Sequence, residues 1–438
     1  MRKVFIETFG CQMNDLDSDL LLSRMVAHGY GVAARREEAD VILFNTCSVR
    51  AHAEDRALSR AGLAGRLKRR RPDLVVGIVG CMAQRRGAEL FRRLPHVQIV
   101  AGPRHLGAVP RLVEEVLATG RRRLAVEDVD GAPLDGAEDI GGRAHRAKVY
   151  VKAMEGCDLG CSFCVVPFTR GRGVSRPPER ILEEVRRLAG AGAVEVTLLG
   201  QTIDAYGRDL DPPVNLAELL CRVHEVGGIR RIRFLTSHPA FVGPELIGAM
   251  RDLPRVCKYL HLPPQSGSDR VLRAMRRGYT VERYLERVAA LRRGVPGIEL
   301  SGDFIVGFPG ETPEDFERTA ELLERVRFQN AFFFKYSPRE GTAAAGLPDD
   351  VPEEEKRRRH AVLLGIQARV SLERNRARIG QRLEVLVEGP SRRDPGRWTG
   401  RTDTFQIVNF TGEGVVPGRF VAVEITGATA LALSGRVA

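Results

Sequence analysis

Apolar and polar positions divide the chain into four stretches with different periods. Over residues 1–118, short apolar runs alternate with amphipathic segments. The runs at 4–9, 41–45, 74–79 and 97–101 are apolar enough for strands covered on both faces of a parallel sheet. Segments such as SDLLLSRMVAHG and AEDRALSRAGLAGRLKRRR predict the helices between them, making a doubly wound α/β domain. Residues 119–146 replace the pattern with charge, Gly and Pro, which predicts a linker. Over 147–375 six strand-like runs follow: VYVKAM, VEVTLLG, IRFLTS, YLHLP, ELSGDFIVGF and AFFFKYS. Amphipathic helices separate them, and ILEEVRRLA sets Ile181, Val185 and Leu188 on one face. Six such units predict an open (β/α)6 barrel, a partial TIM barrel with its chemistry at the carboxyl ends of the strands. A charged helix within 352–379 leads into residues 376–438, where RLEVLVEGP, RWTGRT, FQIVNF, RFVAVEITG and ALALSGRV predict a small antiparallel, OB-like β-barrel.

Composition narrows the class. A chain of 438 residues is too long for one ordinary core. No apolar run reaches a membrane span and MRKVFIETFG has no signal-peptide layout, so a cytoplasmic protein without membrane contact is expected. In a reducing compartment the eight Cys favour metal or cluster ligation over disulfides. A net charge of +12 suits a polyanionic partner, with nucleic acid the first candidate. Cys221 and Cys257 are expected as core thiols, Trp398 as packing, and Phe332 to Phe334 as mostly core.

The chemistry concentrates in cysteine. Cys157, Cys161 and Cys164 stand in CDLGCSFC, a CxxxCxxC spacing. A structural zinc site would want a fourth Cys or His nearby, and the next ones are Cys221 and His224. Three thiolates on a 4Fe-4S cluster leave one iron open for something other than protein. A second set is dispersed: Cys11, Cys47 and Cys81 each follow a predicted strand of the first domain. In a parallel sheet those strand ends lie on one edge, so the thiols can converge. Placement alone leaves a second open cluster and three core cysteines as alternatives.

The CxxxCxxC string, with Phe163 before the last Cys, resembles the signature of radical S-adenosylmethionine (SAM) enzymes. TFGCQMNDLDSD and NTCSVRAHAEDR look like the N-terminal domain of that superfamily's methylthiotransferase family. MEGCDLGCSFCVVPFTRGRGVSRP, LTSHP, HLPPQSGS, SGDFIVGFPGET and YSPREGT continue the likeness. GRTDTFQIVNF is similar to the family's RNA-binding TRAM domain, so the resemblance covers essentially the whole chain. NTCSVR and CVVPFTRG most resemble the branch acting on N(6)-dimethylallyladenosine in tRNA. The chain departs from the family pattern at Thr202, at Pro264 and at Phe405–Gln406.

The resemblance implies two 4Fe-4S clusters, on Cys11, Cys47 and Cys81 and on Cys157, Cys161 and Cys164. It implies two SAM per product, one giving a methyl group and one a 5′-deoxyadenosyl radical, because carbon 2 of adenine has no acidic proton for a base to take. Gly200, Gln201, Ser237, Gln265, Ser301 and Asp303, at expected strand ends, are the candidates for holding SAM. Arg170 and Arg176 flank the cluster loop, facing either an anion or solvent. Residues 380–438 are barely basic, with seven Arg against six acids, and Arg392, Arg393, Arg397 and Arg401 are the candidate RNA contacts there. The expected partners are a tRNA anticodon stem-loop and a flavodoxin- or ferredoxin-type electron donor. Competing expectations are methylthiolation of threonylcarbamoyl-adenosine in tRNA or of a ribosomal-protein aspartate. An iron-sulfur RNA-binding or redox-sensing protein without turnover is the alternative of another class.

Overall fold

The computed structural model describes residues 1–48, 51–127 and 140–438, without the side chains of 51–53. The middle of NTCSVRAHAEDR and residues 128–139 of the expected linker therefore lie outside the described residues. Strands β1 (Lys3–Phe9), β2 (Gly31–Val32), β3 (Val41–Thr46), β4 (Val75–Gly80), β5 (Ile99–Ala101) and β6 (Arg123–Ala125) form one parallel sheet in the order β2-β1-β3-β4-β5-β6. Every residue of β3 and β4 is buried. Alternation sends Ile42, Phe44, Val76 and Ile78 into one core and Val41, Leu43, Val75 and Val79 into the other. Three helices begin near strand ends: α1 (Gln12–Ala27), α2 (Ala51–Arg70) and α3 (Cys81–Arg86). β2 and β6 were not expected, since two or three residues carry no readable period. β6 pairs with β5, so the expected linker begins with a strand of the first sheet.

The central domain supplies the six expected parallel strands: β7 (Lys148–Lys152), β10 (Glu195–Leu199), β11 (Arg231–Leu235), β12 (Tyr259–His261), β13 (Glu299–Val306) and β14 (Asn330–Lys335), with the short hairpin β8 (Met154–Glu155) and β9 (Val174–Ser175) beside the first of them. They run β7-β10-β11 and β12-β13-β14, and the seam is bridged where the Ser237 amide donates to the His261 carbonyl at 3.2 Å. The result is an open arc with helices outside. Ile181, Val185 and Leu188 are buried on one helix face, as their spacing requires. Cys221 is exposed, contrary to expectation, because Leu219, Leu220 and Val223 occupy the inner face of its helix. Phe333 is buried but Phe332 is 44% exposed.

The last five strands are β15 (Arg382–Pro390), β16 (Trp398–Arg401), β17 (Ile407–Thr411), β18 (Phe420–Ala428) and β19 (Leu433–Val437). They close a barrel in the order β15-β16-β17-β19-β18, antiparallel except for the parallel pair β17 and β19. That pair corrects the all-antiparallel expectation; strand runs read from periodicity do not specify neighbours. The barrel packs Val385, Val408, Phe410, Val423 and Ile425 inside. It docks at the amino ends of the central strands. Arg233 donates to the carbonyls of Thr402 and Asp403, each at 2.6 Å, and pairs with Glu195 at 3.1 Å. Tyr259, first in β12, stacks on Phe405 with centroids 5.0 Å apart. Thus Phe405 and Gln406, where the chain departs from the family pattern, are docking residues, with Gln406 donating to Asn375 at 3.0 Å.

Candidate active site: two cysteine triads at one barrel mouth

Parallel register brings the dispersed triad together. Phe9 lies opposite Thr46 and Thr46 opposite Gly80, so Cys11, Cys47 and Cys81 leave the same sheet edge. Gly80 has φ +91°, and a Cβ there would stand 2.4 Å from Asn45 Oδ1. Two buried amides lock the edge: Asn14 Nδ2 donates to Asn45 Oδ1 at 3.1 Å, and Asn45 Nδ2 donates to the Asn14 carbonyl at 2.9 Å. The edge then meets the barrel. Met13, Leu16 and Leu20 of α1 pack on Leu199 and Leu235, the last residues of β10 and β11. This places the triad over the carboxyl-end mouth.

Cys157, Cys161 and Cys164 sit in the loop after β8 at the same mouth, each partly buried. Gly156 turns the chain into that loop at φ +82°; a Cβ there would meet the Arg172 carbonyl oxygen at 1.9 Å. Each sulfur already has a polar neighbour. The Leu159 amide donates to Cys157 at 3.4 Å, Arg277 Nη1 to Cys161 at 3.2 Å, and the Val166 amide to Cys164 at 3.5 Å. The Thr202 hydroxyl lies 3.2 Å from the Cys157 sulfur. Such donors stabilise thiolate, the form that ligates iron. Burial, with the neighbouring Cys161 and Cys157, pushes the Cys164 thiol up to about 12, a cost that iron ligation would offset. In the other triad a hydrogen bond with Cys47, against burial and with help from Arg170, brings Cys11 down to about 6. Among the described residues no three such side chains close on a single ion. A cubic cluster fits better, since it takes each thiolate on a different iron and so spreads its ligands.

Between the triads lie four buried charges. Arg170 pairs with Asp17 and with Glu155, each at 2.7 Å, and its Nε donates to Cys81 at 3.3 Å. Lys152 completes the ring, 3.0 Å from both carboxylates. Burial opposes ionisation of Glu155, but Lys152 and Arg170 hold its carboxyl down to about 2. Arg176, equally buried, pairs with Glu184 at 2.7 Å. Neither arginine faces solvent, which removes one of the two expectations for them.

The candidate SAM residues divide. Gly200 and Gln201 follow β10, and Gln201 Oε1 accepts the Gly156 amide at 2.6 Å, tying the mouth to the cysteine loop. A Cβ at Gly200 would stand 2.5 Å from Met154. Ser237 is buried after β11 with no hydrogen bond to its hydroxyl. Gln265 follows β12 at φ +70°, and Thr236 beside Ser237 is at φ +73°, strained conformations of the kind found at ligand sites. Asp303 is not at a strand end: it is the fifth of the eight residues of β13, because the apolar run continues past it, and it pairs with His261 at 3.2 Å. Ser301 is not at a strand end. It is third in β13, and its hydroxyl bonds that of Tyr259 at 2.6 Å, toward the docked barrel.

Asp204, His238 and Arg277 also belong to the mouth; none was a candidate in the sequence, although His238 stands in the LTSHP string. Burial pushes the Asp204 carboxyl up to about 7, though the His238 amide donates to it at 2.8 Å. Burial, with the charge of Arg277, brings His238 down to about 3 and keeps it neutral. Asp204 Oδ1 and His238 Nε2 have no hydrogen-bond partner. In the last domain Arg392 and Arg393 are exposed on the turn after β15. Arg397 pairs with Asp394 at 3.2 Å, and Arg401 with Glu388 at 3.2 Å while covering Phe405.

An open barrel with a three-cysteine loop at its mouth, a cysteine-edged α/β domain before it and a small β-barrel behind it defines a radical SAM enzyme of the transferase type. Residues 151–323 match the Radical SAM superfamily, 3–102 the Uncharacterized protein family UPF0004 and 376–438 the TRAM domain. The chain is 46% identical over 440 residues to the tRNA-2-methylthio-N(6)-dimethylallyladenosine synthase of Moorella thermoacetica, covering 100% of this chain and 98% of that one. With the enzyme of the same name from Neisseria meningitidis it shares 43%, covering 100% and 99%. The chain belongs to the family of tRNA-2-methylthio-N(6)-dimethylallyladenosine synthases. Among solved structures, the radical SAM methyltransferase TsrM from Kitasatospora setae superposes with a TM-score of 0.57 at 15% identity, over 78% of this chain and 74% of that one. The likeness to TsrM concerns the fold alone. No helix among the described residues is long and apolar enough to cross a membrane.

Proposed function

We propose that this chain is a tRNA methylthiotransferase that puts a methylthio group on carbon 2 of N(6)-dimethylallyladenosine next to the anticodon. The observation that carries the reading is the meeting of two three-cysteine sets at one barrel mouth, joined through Arg170. When bound, a 4Fe-4S cluster at Cys157, Cys161 and Cys164 supplies one-electron cleavage of SAM to a 5′-deoxyadenosyl radical, and one at Cys11, Cys47 and Cys81 supplies an open iron for the sulfur to be methylated. The protein's own residues do the rest. Arg277, Thr202 and the loop amides hold thiolate charge in the loop. Gln201 fixes the loop against the mouth. Ser237, Asp204 and His238 offer buried polar atoms without protein partners, suited to SAM or to the nucleoside. Gln265, after β12, donates its amide to the Asp303 carbonyl at 3.0 Å. Arg392 and Arg393 are free to meet RNA phosphate, and Arg397 and Arg401 flank them. An unstacked anticodon-loop base can reach a recessed mouth, which a paired base cannot. Two SAM per product and a flavodoxin- or ferredoxin-type donor in the cytoplasm complete the reading.

The test is nucleoside mass spectrometry of tRNA bearing dimethylallyladenosine, after anaerobic incubation with reconstituted protein, SAM and reductant. The 2-methylthio nucleoside is expected. SAM cleavage without that nucleoside would move the substrate to threonylcarbamoyl-adenosine or a ribosomal-protein aspartate. No cleavage at all would favour a sensor.

A further inference from the structure

The ring of Asp17, Lys152, Glu155 and Arg170 ties the two cysteine sets together, yet none of the four carries a step of the methylthiolation. None of the four side chains is more than 3% exposed. Taking four ions out of water costs several kcal/mol each before their attraction is counted, and apolar packing in place of buried ion pairs is often neutral or stabilising. Stability therefore does not account for the ring; its placement does. Asp17 lies on α1, which starts beside Cys11. Glu155 is two residues before Cys157, Lys152 ends β7, and Arg170 ends the short helix Val166–Arg170 that follows Cys164. The planar fork of Arg170 binds Asp17 and Glu155 with its two ends, which leaves Nε–H aimed at Cys81.

We infer that Arg170 is a positioning residue that sets the N-terminal triad against the radical SAM loop and raises the reduction potential of the cluster held by that triad. The inference rests on the reading that Cys11, Cys47 and Cys81 hold a cluster. A hydrogen bond and a positive charge at a ligating sulfur stabilise the more negative, reduced cluster, and so raise its potential. Asp17 opposes this by placing a negative charge on the far side of the same guanidinium.

The experiment uses the full chain carrying Cys157→Ala, Cys161→Ala and Cys164→Ala, so that only the N-terminal cluster remains. Iron and sulfide content are measured first, then the midpoint potential by a redox titration followed by electron paramagnetic resonance. If this parent holds no cluster, the reading of the triad fails and the inference falls with it. With the cluster present, Arg170→Gln is expected to shift the midpoint to more negative potential, and Arg170→Lys to shift it less. Asp17→Asn is expected to shift it the opposite way, and decides the matter if Arg170→Gln loses its iron. An unchanged midpoint in variants that keep their cluster, or a negative shift in Asp17→Asn, would overturn the inference.

Discussion

Two triads of cysteine meet at one mouth, but the fold delivers them differently. Cys157, Cys161 and Cys164 come from a single loop and are partly open. Cys11, Cys47 and Cys81 come from three strand ends held in register, two of them buried. A loop can place ligands by spacing alone; a sheet edge places them only when its strands pair correctly. The loop triad is balanced by backbone amides and one arginine from across the barrel. The sheet triad is balanced by Arg170, reaching over from the other domain. The lesson is that the second site is complete only in the docked, two-domain molecule.

The sharpest way to break this comparison is to remove one ligand from each side. Cys157→Ala is expected to lower SAM cleavage to 5′-deoxyadenosine by about two orders of magnitude or more, measured by chromatography under anaerobic reduction. Cys47→Ala should keep cleavage and lose the methylthio nucleoside. If Cys47→Ala lost cleavage too, the two sites would not have separate roles.

Next come the glycines that turn each chain into its site. Gly156→Ala puts a Cβ 1.9 Å from the Arg172 carbonyl oxygen, and Gly80→Ala puts one 2.4 Å from Asn45. Each is expected to lose about half of the bound iron after reconstitution, but a different half. SAM cleavage should fall in the first and survive in the second.

Two buried carboxylates of the central domain titrate oppositely. Glu155, beside Lys152 and Arg170, is held down to about 2 despite its burial, whereas burial pushes Asp204 up to about 7. With its folded value above its unfolded one, Asp204 weakens the fold as pH rises from about 4 to about 7, by at most about 1.4 kcal/mol per pH unit. Asp204→Asn should therefore stabilise the apoprotein by about 2 kcal/mol more at pH 7.5 than at pH 5 in urea denaturation. An equal effect at both pH values would mean that the carboxyl stays charged in the fold.

The smallest effect lies at the opposite end of the barrel. Phe405→Ala removes a half-buried ring stacked on Tyr259 and should cost about 1.5 kcal/mol, read as a lower denaturation midpoint. SAM cleavage should not change. A loss comparable to that of Gly156→Ala would show that docking at the amino ends governs the mouth.

The CxxxCxxC loop was readable because its ligands are contiguous, and β1, β3 and β4 because each is an uninterrupted apolar run. Cys221 misled because its helix is amphipathic and the cysteine falls on the outer face. Ser301 misled because the apolar run continues beyond it, so it sits early in β13 rather than at the end. Phe405 was readable only as a departure from the family's barrel motif, because its ring meets Tyr259 from a domain far away in sequence. Arg277 could not be found at all, since it stands 116 residues from the cysteine it touches.

Periodicity and spacing laid out the three domains, the direction of the barrel and the CxxxCxxC loop, because those depend on neighbours along the chain, whereas Cys11, Cys47 and Cys81 were singled out as a ligand set, rather than core cysteines, only with the family resemblance. The convergence of the first triad, the ring of charges between the two sites and the plugging of the barrel's amino end came only with tertiary structure. Each of those is a contact between side chains separated by long stretches of sequence, and its strength depends on burial and geometry that no local pattern carries.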